Sequence, residues 1–191
     1  MTKGFGVDAV TAAAAAGIAS IGENYAQELL SKLQAARAAG LDVHFIGRLQ
    51  SNKVRQLAGA VAVWESIDRS ALVAELARRA PGARVLVQVA ATDDPGKGGC
   101  PLDEVPTLVE LARAADLNVE GLMTVGPTVG GPEAARPGFR IVRRLVDELG
   151  LATCSMGMTD DLEVAVEEGS TEVRLGTALF GTRDPSAARS T

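Results

Sequence analysis

Short β-branched runs alternate along the chain with longer segments rich in Ala, Leu, Glu and Arg, repeating about every twenty to twenty-five residues. That rhythm predicts repeated βα units, with the apolar residues of each longer segment at helical spacing. Strands are expected over 18–22, 43–47, 61–67, 84–89, 118–124, 152–154 and 172–175. Helices are expected over 7–16, 24–38, 51–57, 69–80, 102–115, 132–149 and 160–168. Asp68 is placed to cap the helix that begins at Arg69, and Gly40, Gly59 and Gly150 to stop helices. No low-complexity linker divides the chain, so residues 1–191 are expected to form one domain, an α/β barrel. If the barrel has eight strands, its first is reduced to residues 1–3.

The last quarter of the chain adds chemistry. Two polar, glycine-rich turns bracket one helix and one strand in SMGMTDDLEVAVEEGSTEVRLGTALFGTR, which runs from Ser155 to Arg183. In the first turn Ser155, Gly157 and Thr159 precede a helical run. In the second, Arg174, Gly176 and Thr177 leave a strand and open a short helix. Free N–H groups and the positive end of a helix dipole attract anions, and adjacent turns after the final strands are a common phosphate site of (β/α)8 barrels. Read singly, such residues also serve as helix caps. Two such turns with Arg174 between them point to a phosphate-bearing ligand. The polar loop over 93–100, DDPGKGGC, follows a strand at the active-site face but lacks P-loop spacing, and Lys97 reads as part of a surface loop.

Composition narrows the function classes. A chain of 191 residues, 47% hydrophobic and 23% charged, can bury one substantial core. Its net charge of −5 argues against a general nucleic-acid binder, which needs a basic face. The apolar runs are short and interrupted by charge, so no membrane span is expected. No basic stretch and long apolar core precede the alanine run at 12–16, so no signal peptide is expected and a cytoplasmic location follows. Cys100 and Cys154 lie far apart and have no ligand-like spacing with His44, the one histidine; they read as free thiols, with no disulfide and no metal.

Six colinear blocks carry a resemblance. GENYAQELLSKL from Gly22, HFIGRLQSNKVRQL from His44, SIDR from Ser66, VLVQVA followed by GKGGC, EGLMTVGP from Glu120, and the stretch from Ser155 together resemble the pyridoxal phosphate homeostasis proteins, formerly the YggS or PROSC family. The resemblance implies a single (β/α)8 TIM-type barrel similar to the N-terminal domain of alanine racemase, with its first strand largely missing here. It implies pyridoxal 5′-phosphate (PLP) held as a reversible aldimine on a lysine at the end of that strand, where this chain has Lys3. The family carries a helix and most of a strand upstream of that lysine, so the chain is read as truncated at its N-terminus.

Further residues carry over one by one. By resemblance Asn24 lies beside the cofactor ring, Ser155, Gly157, Gly176 and Thr177 form the phosphate cradle, and Arg174 faces the pyridine nitrogen. His44 and Met123, at strand ends, are expected to line the pocket. The third-strand block departs from the family in reading Gly47-Arg48 where the family reads Gly-His. A permanently charged arginine at the ring nitrogen keeps it unprotonated and makes the cofactor a poorer electron sink.

The implied function is PLP binding in vitamin B6 homeostasis. PLP-dependent apoenzymes are the expected acceptors, and the protein is expected to be a monomer without strong catalytic activity. The alternative is a PLP-dependent amino-acid racemase. Racemases of this barrel type need a second acid/base, usually a tyrosine from an extra β domain. Tyr25, the one tyrosine, follows Asn24 at a helix start. A phosphate-sugar enzyme would explain the turns but not the colinear blocks.

Overall fold

The computed structural model describes residues 1–92, 94 and 96–182. The chain runs α1 (Val7–Ala15), β1 (Ser20–Glu23), α2 (Ala26–Ala38), β2 (Asp42–Phe45), α3 (Ser51–Leu57), β3 (Val63–Ile67), α4 (Ser70–Arg79), β4 (Arg84–Gln88), α5 (Val105–Ala114), β5 (Asn118–Met123), α6 (Arg136–Glu148), β6 (Thr153–Ser155), α7 (Leu162–Glu167) and α8 (Thr177–Phe180). Its strands form one six-stranded parallel sheet in chain order. Parallel neighbours in chain order require a crossover at every step, and the right-handed twist of such a sheet curls it toward closure.

The curl brings the two ends of the sheet together. Met1 N donates to the Leu175 carbonyl at 2.6 Å, and the Thr2 amide donates to the Gly22 carbonyl at 3.1 Å. On the far edge Ser155 bridges Glu172 in parallel register. Residues 1–3 and 172–175 thus take the remaining two positions of a partial (β/α)8 barrel, as expected. The seventh strand expected over 172–175 is reduced to that one bridge. Beyond it the ladder is diverted, because the Arg174 amide donates to Gly157 in the turn past β6.

Alternation along each strand sorts side chains between a helical shell and the barrel interior. Phe45, Trp64, Val85, Val87, Leu122 and Cys154 pack outward into the main core with the helices, including Leu29, Leu76, Val109 and Phe139. Val63, Leu86 and Met123 form a small interior plug with Ile46 and Val125 against it. Cys100 and Cys154 are free and buried.

The element edges differ from expectation where proline or capping decides them. The helices expected over 102–115 and 132–149 each open with a 3₁₀ turn, Leu102–Glu104 and Pro132–Ala135, before α5 and α6. Pro106 and Pro137 lack an N–H and are tolerated only in a first α-helical turn, so each fixes where the α register begins. Arg69, not Asp68, occupies the cap of α4; Asp68 instead pairs with the Arg69 guanidinium at 2.5 Å. α2 begins at Ala26, with Tyr25 extended at its cap, which leaves Asn24 as a strand-end residue. Gly40 and Gly150 end their helices in the left-handed region, at φ 68° and 61°.

One close approach sets the mouth of the barrel. A Cβ on Gly47 would overlap the backbone carbonyl of Asn24, so only glycine lets the β2–α3 connection lie against the end of β1. Gly47→Ala should destabilise the fold by about 1–3 kcal/mol and displace Asn24. Urea denaturation checks the first effect, and an unchanged midpoint would show that Asn24 is not held against Gly47.

Candidate functional site

A cleft of about 360 Å³ opens at the C-terminal end of the strands. Its walls come from parts of the chain far apart in sequence: Lys3 after the first stave, Asn24 after β1, Ile46 after β2, Val125 after β5, and Arg174, Gly176 and Thr177 at the chain's last turn. The size suits one small ligand, and the position is the one where parallel α/β barrels gather their chemistry. Thr159 and Asp160, from the turn before α7, close the rim, and the two turns are tied by the Ala178 amide donating to Thr159 Oγ1 at 3.3 Å. Asn24 Oδ1 is buried and has no hydrogen-bond partner among the described residues. Native proteins rarely leave such an atom unsatisfied, so the cleft holds a place for a polar ligand group.

Arg174 forms the floor of the cleft and is 6% exposed. Its guanidinium donates to Ser155 Oγ at 2.9 Å and to the Thr124 carbonyl at 2.6 Å. Ser155 Oγ donates to Glu65 Oε2 at 2.8 Å, and His44 Nδ1 lies 2.8 Å from Glu65 Oε1 and 3.7 Å from Glu172 Oε1. A buried cation is tolerated only with counter-charge and satisfied donors, and this barrel interior supplies both. Burial lowers the Arg174 pKa while Glu65 and Glu172 oppose it; the guanidinium stays charged.

The same interior sets the protonation of its other members. Burial alone would lower His44, but the carboxylates of Glu172 and Glu65, the latter hydrogen-bonded at 2.8 Å, outweigh it and raise the imidazole to about 9. Burial pushes the Glu65 carboxyl up, opposed by its hydrogen bond with His44. Burial would also raise Glu172, but the charged His44 beside it holds it below the ordinary value. His44 is thus an imidazolium held between carboxylates, unsuited to accept a proton at neutral pH. His44, Glu65 and Glu172 are close enough to share a metal ion, though His44 Nδ1, both Glu65 oxygens and Glu172 Oε1 already bond to one another or to Ser155.

Of the residues singled out from sequence, Lys3, Asn24, Arg174, Gly176 and Thr177 meet in the cleft. His44 and Ser155 lie beneath it, in the network under Arg174. Met123 is buried in the interior plug, and Gly157 sits behind the wall, its carbonyl accepting the Arg174 amide. Lys97 pairs with Asp94 at 2.6 Å and donates to the Gly126 carbonyl. Asp93, Pro95 and Arg183 lie outside the described residues. Tyr25 is exposed and lines a neighbouring cleft of about 550 Å³ with Arg48, Gln50 and Lys53. Sequence reasoning missed Glu65 and Glu172. The available signal was a glutamate inside an apolar strand, in VWESI, opposite a histidine-bearing strand.

The chain matches the family described as "Alanine racemase, N-terminal domain" over residues 1–184. It is 43% identical over 178 residues to the pyridoxal phosphate homeostasis protein of Aquifex aeolicus, covering 87% of this chain and 78% of that one. The protein of the same name from Pseudomonas aeruginosa is 40% identical over 189 residues, covering 95% and 82%. PipY of Synechococcus elongatus, solved with PLP bound, superposes with a TM-score of 0.83 at 31% identity, covering 94% of this chain and 90% of that one. An alanine racemase from Clostridium difficile shares the fold at TM-score 0.77 and 14% identity, with 96% of this chain on 51% of that one.

The His44 network makes stability depend on pH. The folded imidazole keeps its proton to about 9, while an unfolded one loses it near 6.5. The stabilisation is therefore complete below about 6.5 and is lost as pH rises through about 9. His44→Asn should open a stability gap to the wild type on the order of 3 kcal/mol near pH 6 that narrows toward pH 10. Thermal melts across that range check it, and a gap independent of pH would show that His44 carries no extra proton in the fold.

Proposed function

The chain belongs to the alanine racemase N-terminal domain family and, within it, to the pyridoxal phosphate homeostasis proteins, and on that premise we propose that Lys3 is the amine that holds PLP in the cleft at the barrel mouth. The protein is a PLP-binding protein of vitamin B6 homeostasis. The observation that carries the assignment of Lys3 is convergence: a lysine, a buried arginine and a glycine-threonine turn line the same cleft from distant parts of the chain, while the Met1 amine beside them is bonded to the Leu175 carbonyl at 2.6 Å.

The residues fit the group. When bound, PLP supplies an aldehyde that a primary amine captures reversibly, its oxygen leaving as water. Lys3 would supply the amine, whose unprotonated form is the nucleophile. Gly176 and Thr177 would hold the phosphate through backbone N–H groups that make no hydrogen bond among the described residues. The Asn24 amide, with its unsatisfied oxygen, would bind a polar group of the ring. Arg174, a permanent cation, would hold the ring nitrogen and leave it unprotonated, which suits holding better than turnover. Ser155 fixes the guanidinium, His44 balances the carboxylates beneath it, and Met123 and Gly157 support the wall. Reversible capture lowers the concentration of an aldehyde that otherwise reacts with any exposed amine. On this reading the protein is a cytoplasmic monomer and PLP-dependent apoenzymes are its acceptors.

Adding PLP to the purified protein should produce the absorbance band of a lysine-bound aldehyde, and borohydride should fix the label on Lys3. Lys3→Ala should lose the band while affinity falls only on the order of tenfold to a hundredfold, because the phosphate contacts remain. A band that survives the substitution would overturn the assignment.

A further inference from the structure

Lys3 is held from below by a buried ion pair that the assignment of the cleft does not use. Lys32, on α2, is 3% exposed, and Glu23, on β1, is fully buried. Lys32 Nζ donates to Glu23 Oε1 at 2.7 Å and to the Thr2 carbonyl at 2.7 Å. The Thr2 hydroxyl donates to the same Glu23 oxygen at 2.6 Å. One residue past Lys3, the Gly4 amide donates to Glu28 Oε2 at 2.8 Å, and Glu28 lies 3.4 Å from Lys32 Nζ. The residues on both sides of Lys3 are thus bonded to one charged cluster on β1 and α2.

This arrangement is poorly explained as stabilisation. Burying a lysine and a glutamate carries a desolvation penalty that their attraction only partly offsets, and apolar pairs of similar volume often stabilise as well or better. Glu23 Oε2 is moreover buried without a partner among the described residues. An ordinary core at this place would continue the apolar stripe of Leu29 and Ala36, on which Lys32 falls. What the cluster does that Leu or Met could not is bond the main chain on both sides of Lys3. Met1 donates one backbone hydrogen bond to Leu175 and Thr2 one to Gly22, so the cluster adds side-chain bonds to the main chain on both sides of Lys3.

We propose that Glu23 and Lys32, assisted by Glu28, are positioning residues that fix the main chain around Lys3 and so aim its amine into the cleft. The proposal rests on Lys3 being the PLP-holding amine. An unanchored stave lets the lysine swing over many rotamers, and capture of an aldehyde falls with the fraction of time the amine spends in reach.

The test uses the full chain with Lys32→Met, the double variant Glu23→Met with Lys32→Met, and Glu28→Gln. Two readouts are taken: hydrogen exchange at the Gly4 and Phe5 amides without PLP, and the PLP concentration that gives half-maximal borohydride label on Lys3. The double variant should melt within a few degrees of the wild type, yet exchange at least tenfold faster at those amides and need at least tenfold more PLP. Glu28→Gln, which loosens only the Gly4 side, should shift both readouts two- to threefold and remains informative if the buried variants fail to fold. Wild-type exchange and wild-type labelling in the variants would overturn the proposal. If the wild type itself carries no label on Lys3, the PLP assignment fails, while unchanged exchange at Gly4 and Phe5 would separately overturn the clamp.

Discussion

A guanidinium buried inside a barrel is the constraint around which this structure is arranged. Arg174 cannot sit at 6% exposure without neutralising charge and filled donors, and the interior is built to provide them. Glu65 comes from β3, Glu172 from the bridge beside β6, His44 from β2, and Ser155 and Thr124 supply the acceptors. His44, Glu65 and Ser155 lie on the inward side of their strands, so parallel pairing in chain order is what brings them together. Val63, Leu86 and Met123 form an apolar plug in the same interior. The result is a fixed positive charge at the floor of a cleft, held by its hydrogen bonds to Ser155 and the Thr124 carbonyl.

A second buried charge, Lys32 with Glu23, does for the rim what this network does for the floor. Between them lies Lys3. Both charged clusters join elements far apart in the chain, Thr2 to α2 in one and β3 to β6 in the other. On the proposed reading such a site favours holding over turnover, because the histidine beside Glu65 and Glu172 keeps its proton and is no base at neutral pH.

Much of this was legible in the sequence. The βα rhythm, the two terminal turns and the convergence of Lys3, Asn24, Arg174, Gly176 and Thr177 all read through, because they rest on local signals and on colinear motifs. The interior network did not. Glu65 reads as an exception in an apolar strand, and nothing local says that its carboxylate meets Ser155 ninety positions later. Lys32 was hidden the same way, since the charged residues of a helix ordinarily face water. Edges went astray where proline set the helix register at Val105 and Arg136. They also did where Asp68 found the Arg69 guanidinium in place of the helix amides. Charge placed on an apolar stripe is the signal that finds such residues.

The most direct measurement is a crystal structure of the protein saturated with PLP. The account requires continuous density from Lys3 Nζ to the aldehyde carbon, the phosphate against Gly176 and Thr177, and the Arg174 guanidinium at the ring nitrogen. PLP seated instead in the neighbouring cleft on Arg48 and Lys53, with Lys3 unmodified, would contradict it.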